Sequence, residues 1–290
     1  MYIENVQTTL NEMIDLKKEN NYFDSHYSEL TKLTSFSGVW ELKFKKNLFK
    51  MINIINDDLV PLKYFWKDKY EQLSLNLWYE FTRDINSLNF DVGSHTGIYT
   101  IIGNQDKKQN NIISLEPYYI NYSRMLSNLK LNDISLNNSF LCAASNENGV
   151  AKFKITTHIR QHTSGGSIQQ DGNHSVKKMK LDNFDVGNKK IGCIKIDTEG
   201  HEYEVLQGSE KIIKKFRPKI IFEINEESAQ NCLDFLLKCD YEFYLIDDKG
   251  NKLSPLNEDN NYSIKLDNEG INCLAIKYCP KERKSIQRYI

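Results

Sequence analysis

Asn89-Phe-Asp-Val-Gly-Ser-His-Thr-Gly-Ile-Tyr-Thr100 is an apolar run that ends in an acid and a glycine, followed by a second glycine and a helical pattern. That order marks a strand-to-helix turn at the first crossover of a doubly wound α/β sheet. A short way on, Ser114-Leu-Glu-Pro117 puts Glu116 at the tip of the next strand. A carboxylate there can accept hydrogen bonds from both hydroxyls of a ribose. Turn and acid together point to a nucleoside cofactor.

The two glycines, Gly93 and Gly97, are spaced G-x-x-x-G, and the third glycine of a dinucleotide fingerprint is missing. Those fingerprints need bare backbone so that amides can close on a pyrophosphate at the helix N-terminus. Here Asp91, His95 and Tyr99 crowd the approach. S-adenosylmethionine carries no phosphate, and an acid before the turn suits its ammonium and sulfonium groups. The residues therefore favour the methyl donor over NAD.

Composition bounds the rest. A chain of 290 residues can bury a full core. Its 38 basic and 39 acidic residues nearly cancel, so no basic stripe advertises nucleic acid. The longest apolar runs, such as Ile220-Ile221-Phe222, have the length of core strands and are too short to span a bilayer. The first residues lack a basic region followed by an apolar one, so no secretory signal is expected and the expected location is the cytoplasm. None of the six cysteines forms a C-x-x-C pair, which predicts buried thiols and no zinc site.

Along the chain, Ile3, Val6, Leu10, Met13 and Ile14 recur at helical spacing and predict an amphipathic helix over 1–19. Its apolar face could pack inward or against a second subunit, so a homo-oligomer is open. Residues 40–55 mix apolar side chains and lysines on a helical period, and 64–81 are rich in aromatics. The region 1–75 therefore reads as a helical cap on a domain spanning 76–290. Beyond it, strands are expected at 88–92, 112–116, 138–143, 191–196, 219–224, 241–246 and 271–278, and helices at 97–103, 117–130, 201–215 and 228–238. Such alternation predicts a mostly parallel sheet covered on both faces. The last two strands, joined by the polar stretch 247–270, are expected to form an antiparallel hairpin at one edge.

A second constellation is Ile194-Lys-Ile-Asp-Thr-Glu-Gly-His-Glu-Tyr-Glu204. An apolar strand ends at Asp197 and a helix begins near His201. Ligands of open α/β sheets gather at the carboxyl ends of strands, so Asp197, Glu199 and His201 should share a crevice with Gly93 and Glu116. Glu202 and Glu204 suit helix capping equally well. His201 titrates near neutrality and is a candidate general base.

Phe90-Asp-Val-Gly-Ser-His-Thr-Gly-Ile-Tyr-Thr100, Leu115-Glu-Pro117, Ser164-Gly-Gly-Ser167, Lys195-Ile-Asp-Thr-Glu-Gly-His-Glu202 and Pro218-Lys-Ile-Ile-Phe-Glu-Ile224 resemble, in order and spacing, the FkbM family of S-adenosylmethionine-dependent methyltransferases. The resemblance covers residues 76 to 278. One departure is Ser94-His95, where the family usually has Ala-Asn. The resemblance implies a class I methyltransferase fold: a Rossmann-like, seven-stranded, mostly parallel sheet with an antiparallel C-terminal strand, here with the helical N-terminal extension added. It implies that Asp91, Gly93, Ser94 and Gly97 surround the methionine part of the donor, that Glu116 holds the ribose, and that Ala143, Ala144 and Ser145 lie by the adenine. Glu80 matches a glutamate that precedes the first strand in such proteins and approaches the donor.

The activity implied is O-methylation of a sugar, glycan or glycosylated metabolite, as in polysaccharide or natural-product tailoring. Asp197, His201 and Glu199 are the expected catalytic residues, the first two as bases and Glu199 positioning the acceptor or the histidine. Asp197, Glu199 and Glu223 could ligate a divalent metal, but the metal-free reading is preferred. Amine, carboxylate or peptide acceptors, a non-catalytic donor-binding module and a dinucleotide-dependent oxidoreductase are the alternatives.

Overall fold

Strand β3 (Ser87–Val92) is buried at every position, the burial of a strand covered on both faces. The structure, a computed structural model, describes residues 12–18, 36–107, 109–155, 166–224, 229–256 and 271–290. The hairpin β1 (Gly38–Phe44) and β2 (Asn47–Asn53) precedes β3. After it come β4 (Ile112–Leu115) and β5 (Ser139–Phe140), and then β6 (Ala143–Ala144), β7 (Gly149–Ile155), β8 (Gly166–Ile168) and β9 (His174–Met179). The chain continues through β10 (Lys190–Ile196), β11 (Lys219–Ile224), β12 (Tyr241–Asp247), β13 (Lys252–Leu256) and β14 (Ile271–Lys277).

The main sheet has the order β13-β12-β14-β11-β10-β3-β4-β5. Strands β5, β4, β3, β10 and β11 run parallel. Strand β14 is antiparallel to both β11 and β12, and β13 is antiparallel to β12. The sheet is thus mixed, and the order reverses between β3 and β10. Such a reversal opens a crevice at the strand tips.

Alternation along the strands sorts side chains into two layers. Ile194, Ile196, Phe222 and Ile224 face a core closed by Val205, Leu206, Ile213 and Leu233. Cys193, Ile221, Leu274 and Ile276 face the opposite core, which contains Trp78, Ile101, Ile102 and Met125. The hairpin joins this second layer through Trp40, Leu42, Phe44, Phe49 and Met51.

Four expectations are corrected. Residues 38–53 form the hairpin and not a helix: both strands bury alternate residues, and the lysines that mimic a helical period fall on the outer face and in the turn, where Phe44 pairs with Asn47 across Lys45-Lys46. The main sheet has eight strands and not seven, because β13 emerges from the stretch expected to be only polar and takes the edge beside β12; β14 lies inside the sheet, between β12 and β11. The strand expected at 138–143 divides between two sheets, with Ala143–Ala144 pairing β9 in a separate four-stranded sheet, order β6-β9-β7-β8. The helix expected over 201–215 breaks into Glu202–Gln207 and Glu210–Phe216; at Gly208, between them, a Cβ would lie 2.0 Å from the Ser145 carbonyl oxygen. The helices at Ile98–Asn104, Tyr119–Leu131 and Ala229–Leu237 agree closely with expectation. Of the helix expected over 1–19, residues 12–18 are helical, and residues 1–11 and 19 lie outside the described ones.

Two polar contacts tie the N-terminal segment to the sheet. Asp248, beyond β12, accepts from the backbone amides of Leu73 and Ser74 at 2.7 and 2.9 Å, capping the helix Gln72–Phe81. Arg124 donates to both carboxylate oxygens of Asp57 at 2.7 and 2.9 Å, with both side chains buried. Removing one member of a buried pair leaves the other charge desolvated, so Arg124→Ala should lower stability by about 3–5 kcal/mol in urea denaturation. Arg124→Met combined with Asp57→Asn should recover most of that loss.

Candidate active site

The turn after β3 closes the bottom of a pocket at the order reversal. Gly93 and Ser94 donate their backbone N–H groups to the Leu115 carbonyl at 2.9 and 3.0 Å. Gly93 has φ +72°, and a Cβ there would come within 1.7 Å of the Asp197 carbonyl oxygen. Only glycine lets the tips of β3 and β10 approach so closely. Gly97, at φ +97°, starts the helix Ile98–Asn104 and packs beneath the turn against Met125. The Ser94 hydroxyl turns inward and donates to the Asp91 carbonyl at 2.6 Å.

Glu116 stands beside this turn. One oxygen accepts the His95 amide and the other the Tyr118 amide, each at 2.9 Å. Each carboxylate oxygen retains a lone pair, the arrangement needed to receive two neighbouring hydroxyls. Burial pushes the Glu116 pKa up to about 7, against the opposing influence of His95 and the two amides. Tyr118, Ala143, Ala144, Phe153 and Ile168 form an apolar wall next to it, as a nucleobase requires.

At the opposite end lies Lys195, almost fully buried in β10. Its ammonium is 2.8 Å from Asp197 Oδ2 and 4.8 Å from the Tyr99 ring centroid. Burial alone would depress this pKa, but Asp197, Asp91 and Glu71 outweigh it and hold Lys195 above the ordinary lysine value. Asp91 is completely buried. One of its oxygens takes the Thr100 hydroxyl at 2.6 Å, and the other has no hydrogen-bond partner. Burial raises its pKa.

The turn after β10 carries the remaining acids. Glu202 is buried and staples the turn, accepting from the Thr198 amide and hydroxyl at 2.9 Å and from the Gly200 amide at 3.2 Å. Glu199 sits at the solvent-facing rim with φ +55°. Crowding by surrounding atoms, and then the Asp197 and Glu202 carboxylates, raises its pKa. His201 also lines the pocket. Its Nε2 lies 3.0 Å from the Ser145 hydroxyl and its Nδ1 3.5 Å from Glu204, and burial lowers its pKa.

The structure thus brings Gly93, Ser94, Glu116, Ala144, Asp197, Glu199 and His201 to one pocket, and sets Asp91, Gly97 and Ser145 directly behind its wall. Glu80 is not brought there. It lies at the far end of the helix Gln72–Phe81, where it pairs with Arg288 and accepts from the Tyr289 hydroxyl at 3.1 Å. Glu71, nine residues earlier and so about 13 Å back along the axis, stands behind the pocket and accepts from the Tyr99 hydroxyl at 2.5 Å.

Sequence reasoning overlooked Glu71, Tyr70, Lys195 and Phe153. A lysine inside the apolar run Ile194-Lys-Ile196 was the legible signal for one of them, because a strand seldom buries a charge without a partner. Leu59, Val60 and Lys63 complete the lining from the helix Leu59–Lys67. Among the described residues no group of three or more His, Cys, Asp or Glu side chains is arranged to hold a metal ion, and no helix is long and apolar enough to cross a membrane. The Ser164–Ser167 motif begins outside the described residues. Gly166 lines the pocket.

A mixed α/β sheet with a glycine turn, a carboxylate held by two backbone amides and an apolar wall beside it is an arrangement suited to a nucleoside-bearing group. The methyltransferase FkbM domain matches residues 91–243. The chain belongs to that family and is an S-adenosylmethionine-dependent methyltransferase. Similar solved structures include an FkbM methyltransferase from Methylobacillus flagellatus, 15% identical, covering 75% of this chain and 53% of that one, with a TM-score of 0.43. An rRNA methylase from Streptococcus thermophilus is 14% identical over 72% of this chain and 96% of that one, TM-score 0.42. TYW2 from M. jannaschii, in complex with AdoMet, is 13% identical over 84% of this chain and 86% of that one, TM-score 0.41. The chain spans about half the length of the Methylobacillus protein. No curated protein matches it.

The raised pKa of Glu116 has a measurable consequence. Ionised, the carboxylate can receive both ribose hydroxyls and attract a cationic donor, whereas the protonated form has lost an acceptor site. Donor affinity should rise with pH through about 7 and be about tenfold weaker one unit below. Calorimetric titration with S-adenosylmethionine across that range checks it, and Glu116→Gln should bind weakly with the pH dependence removed.

Proposed function

We propose that the protein transfers the donor's methyl group to a hydroxyl of a sugar, a glycan or a glycosylated metabolite. The observation that carries this reading is the group of acids at the tips of β10 and β11 beside the glycine turn. Asp197 has its carbonyl against Gly93, Glu199 occupies the rim, and Glu223 is raised to about 9 by burial and then by Asp197, Glu199 and Glu202. Asp197 and Glu199 can accept from hydroxyl groups, protonated Glu223 can donate to one, and a polyhydroxylated acceptor offers several such partners at once.

The residues fit the donor. Gly93 supplies the bare backbone, Glu116 the ribose contact, and Ala143, Ala144 and Phe153 the base slot. Lys195 faces a carboxylate at the amino-acid end, and Asp91, buried behind the wall, helps to hold that lysine charged. When bound, the donor supplies an electrophilic methyl group on a sulfonium. What the chain contributes is alignment, exclusion of water and acceptance of a proton.

Glu199 is the assigned general base: its elevated pKa gives it a stronger pull on a hydroxyl proton than an ordinary carboxylate, and it reaches solvent to pass the proton on. Asp197, braced by Lys195, orients the acceptor. His201, with protein groups at both ring nitrogens, holds the turn. The cap region 1–75, through Leu59, Val60, Lys63 and Tyr70, selects the acceptor. Cytoplasmic tailoring of a polysaccharide or natural product is the setting this reading suggests.

Turnover of labelled S-adenosylmethionine against sugar nucleotides, glycans and peptides tests the proposal. Label should enter the sugars, and methylation confined to peptides would sink it. Glu199→Gln should lower kcat by about 10²–10⁴ while leaving the donor Kd unchanged. In the wild type, kcat/KM should fall on the acid side at a pH above that of an ordinary glutamate, the direction set by the raised pKa.

A further inference from the structure

Shortly after Glu116 the chain enters the helix Tyr119–Leu131, which carries a polar stripe of Asn121, Arg124 and Asn128, continued by the cap residue Asn132. Residues three or four apart share a helix face, and this face looks toward the hairpin and the donor turn. Arg124 holds Asp57 at 2.7 and 2.9 Å. Asn128 accepts from the Ile52 amide and donates to the Thr96 carbonyl, each at 2.8 Å. Asn132 accepts from the Lys50 amide at 2.8 Å and donates to the Lys50 carbonyl at 2.7 Å. These three side chains tie the N-terminal segment to the domain.

Asn121 differs from them. It is only 5% exposed, and it lines the pocket together with Glu116. Its Oδ1 is buried and has no hydrogen-bond partner among the described residues. A buried carbonyl left unpaired is costly, and folded proteins pair nearly all of them. Ile120, one residue earlier, packs toward the small sheet, where Tyr118, Ala143 and Phe153 form the apolar wall. Successive helical residues point about 100° apart, so Asn121 is turned from that wall toward the N-terminal segment, whose Leu59 and Val60 also line the pocket.

We propose that Asn121 is a ribose-binding residue: its carboxamide takes one of the two sugar hydroxyls of the donor, beside the acceptor positions that Glu116 offers. A hydroxyl both donates and accepts, so it can satisfy an amide oxygen or an amide N–H. No hydrogen bond among the described residues holds Oδ1 in place, and a turn about χ2 brings it to an arriving hydroxyl. Carboxylate and carboxamide then fix the sugar from two directions. The proposal rests on the reading of this pocket as the donor site.

Calorimetry with S-adenosylhomocysteine and its 2′-deoxy, 3′-deoxy and inosine analogues tests it, on wild type and Asn121→Leu compared ligand by ligand, with thermal melting alongside. Leucine removes a buried polar group that lacks a partner, so the melting temperature should not fall. Affinity for S-adenosylhomocysteine should nonetheless drop about tenfold, the scale of one lost hydrogen bond. The drop should vanish for at least one deoxy analogue and persist for the inosine analogue, a split that a merely structural residue does not produce. Should leucine fail to fold, Asn121→Ala reads the same split. The proposal is overturned by wild-type affinity in the folded variant, by an equal drop for S-adenosylhomocysteine and both deoxy analogues, or by a drop that vanishes with inosine, which moves Asn121 to the base edge. If the folded wild type and its Glu116→Ala variant both fail to bind, the donor-site reading falls and this inference falls with it. Binding by the wild type that is lost in Glu116→Ala but kept in Asn121→Leu rejects this inference alone.

Discussion

Lys195 buries an ammonium at the point where the sheet order reverses, and the chemistry of the pocket is arranged around it. Removing such a charge from water costs several kcal/mol unless partners replace the solvent. The partners are drawn from separate parts of the chain: Asp197 from the tip of the same strand, Asp91 from β3, and Glu71 from the start of a helix in the N-terminal segment. The dependence runs both ways. Without the lysine, these acids would crowd one another in a poorly solvated space, and like charges so placed drive each other's pKa upward. Glu71, Asp91, Glu199 and Glu223 are all displaced upward, by burial first and by neighbouring acids after it.

Backbone geometry and electrostatics reinforce one another here. The contact between Gly93 and the Asp197 carbonyl brings two strand tips together, and that closeness sets the ammonium beside both acids. His95 and Glu199 take left-handed backbone angles on the two turns that meet above it. Strained positions concentrate where the surrounding structure over-determines them, and both of these residues line the pocket. Glu202 supplies part of the restraint, gathering three donors of one turn onto a single oxygen.

The acids of the two strand tips were legible from local order alone, because an apolar run ending in an acid and a glycine has few structural meanings. Glu116 was legible for the same reason. The hairpin over 38–53 was not: its lysines imitate a helical period, and only the inward alternation of Trp40, Leu42 and Phe44 reveals the strand. Glu80 and Glu71 lie at opposite ends of one helix, and nothing in their immediate neighbours says which end turns toward the sheet. Asp248 settles it by capping the end that carries Glu71.

By itself, the sequence determined the strands β3, β4, β10, β11, β12 and β14, the helices Ile98–Asn104, Tyr119–Leu131 and Ala229–Leu237, the glycine turn, and the acids at the tips of β3, β4 and β10. These follow from periodicity and from the conformational freedom of glycine, both local properties. Tertiary structure alone decided that β13 takes the edge, that β6 leaves the main sheet, and that Glu71 and not Glu80 stands behind the pocket. Each depends on contacts between residues far apart in the chain, whose pairing is set by the packing of whole layers and by the need to neutralise buried charge.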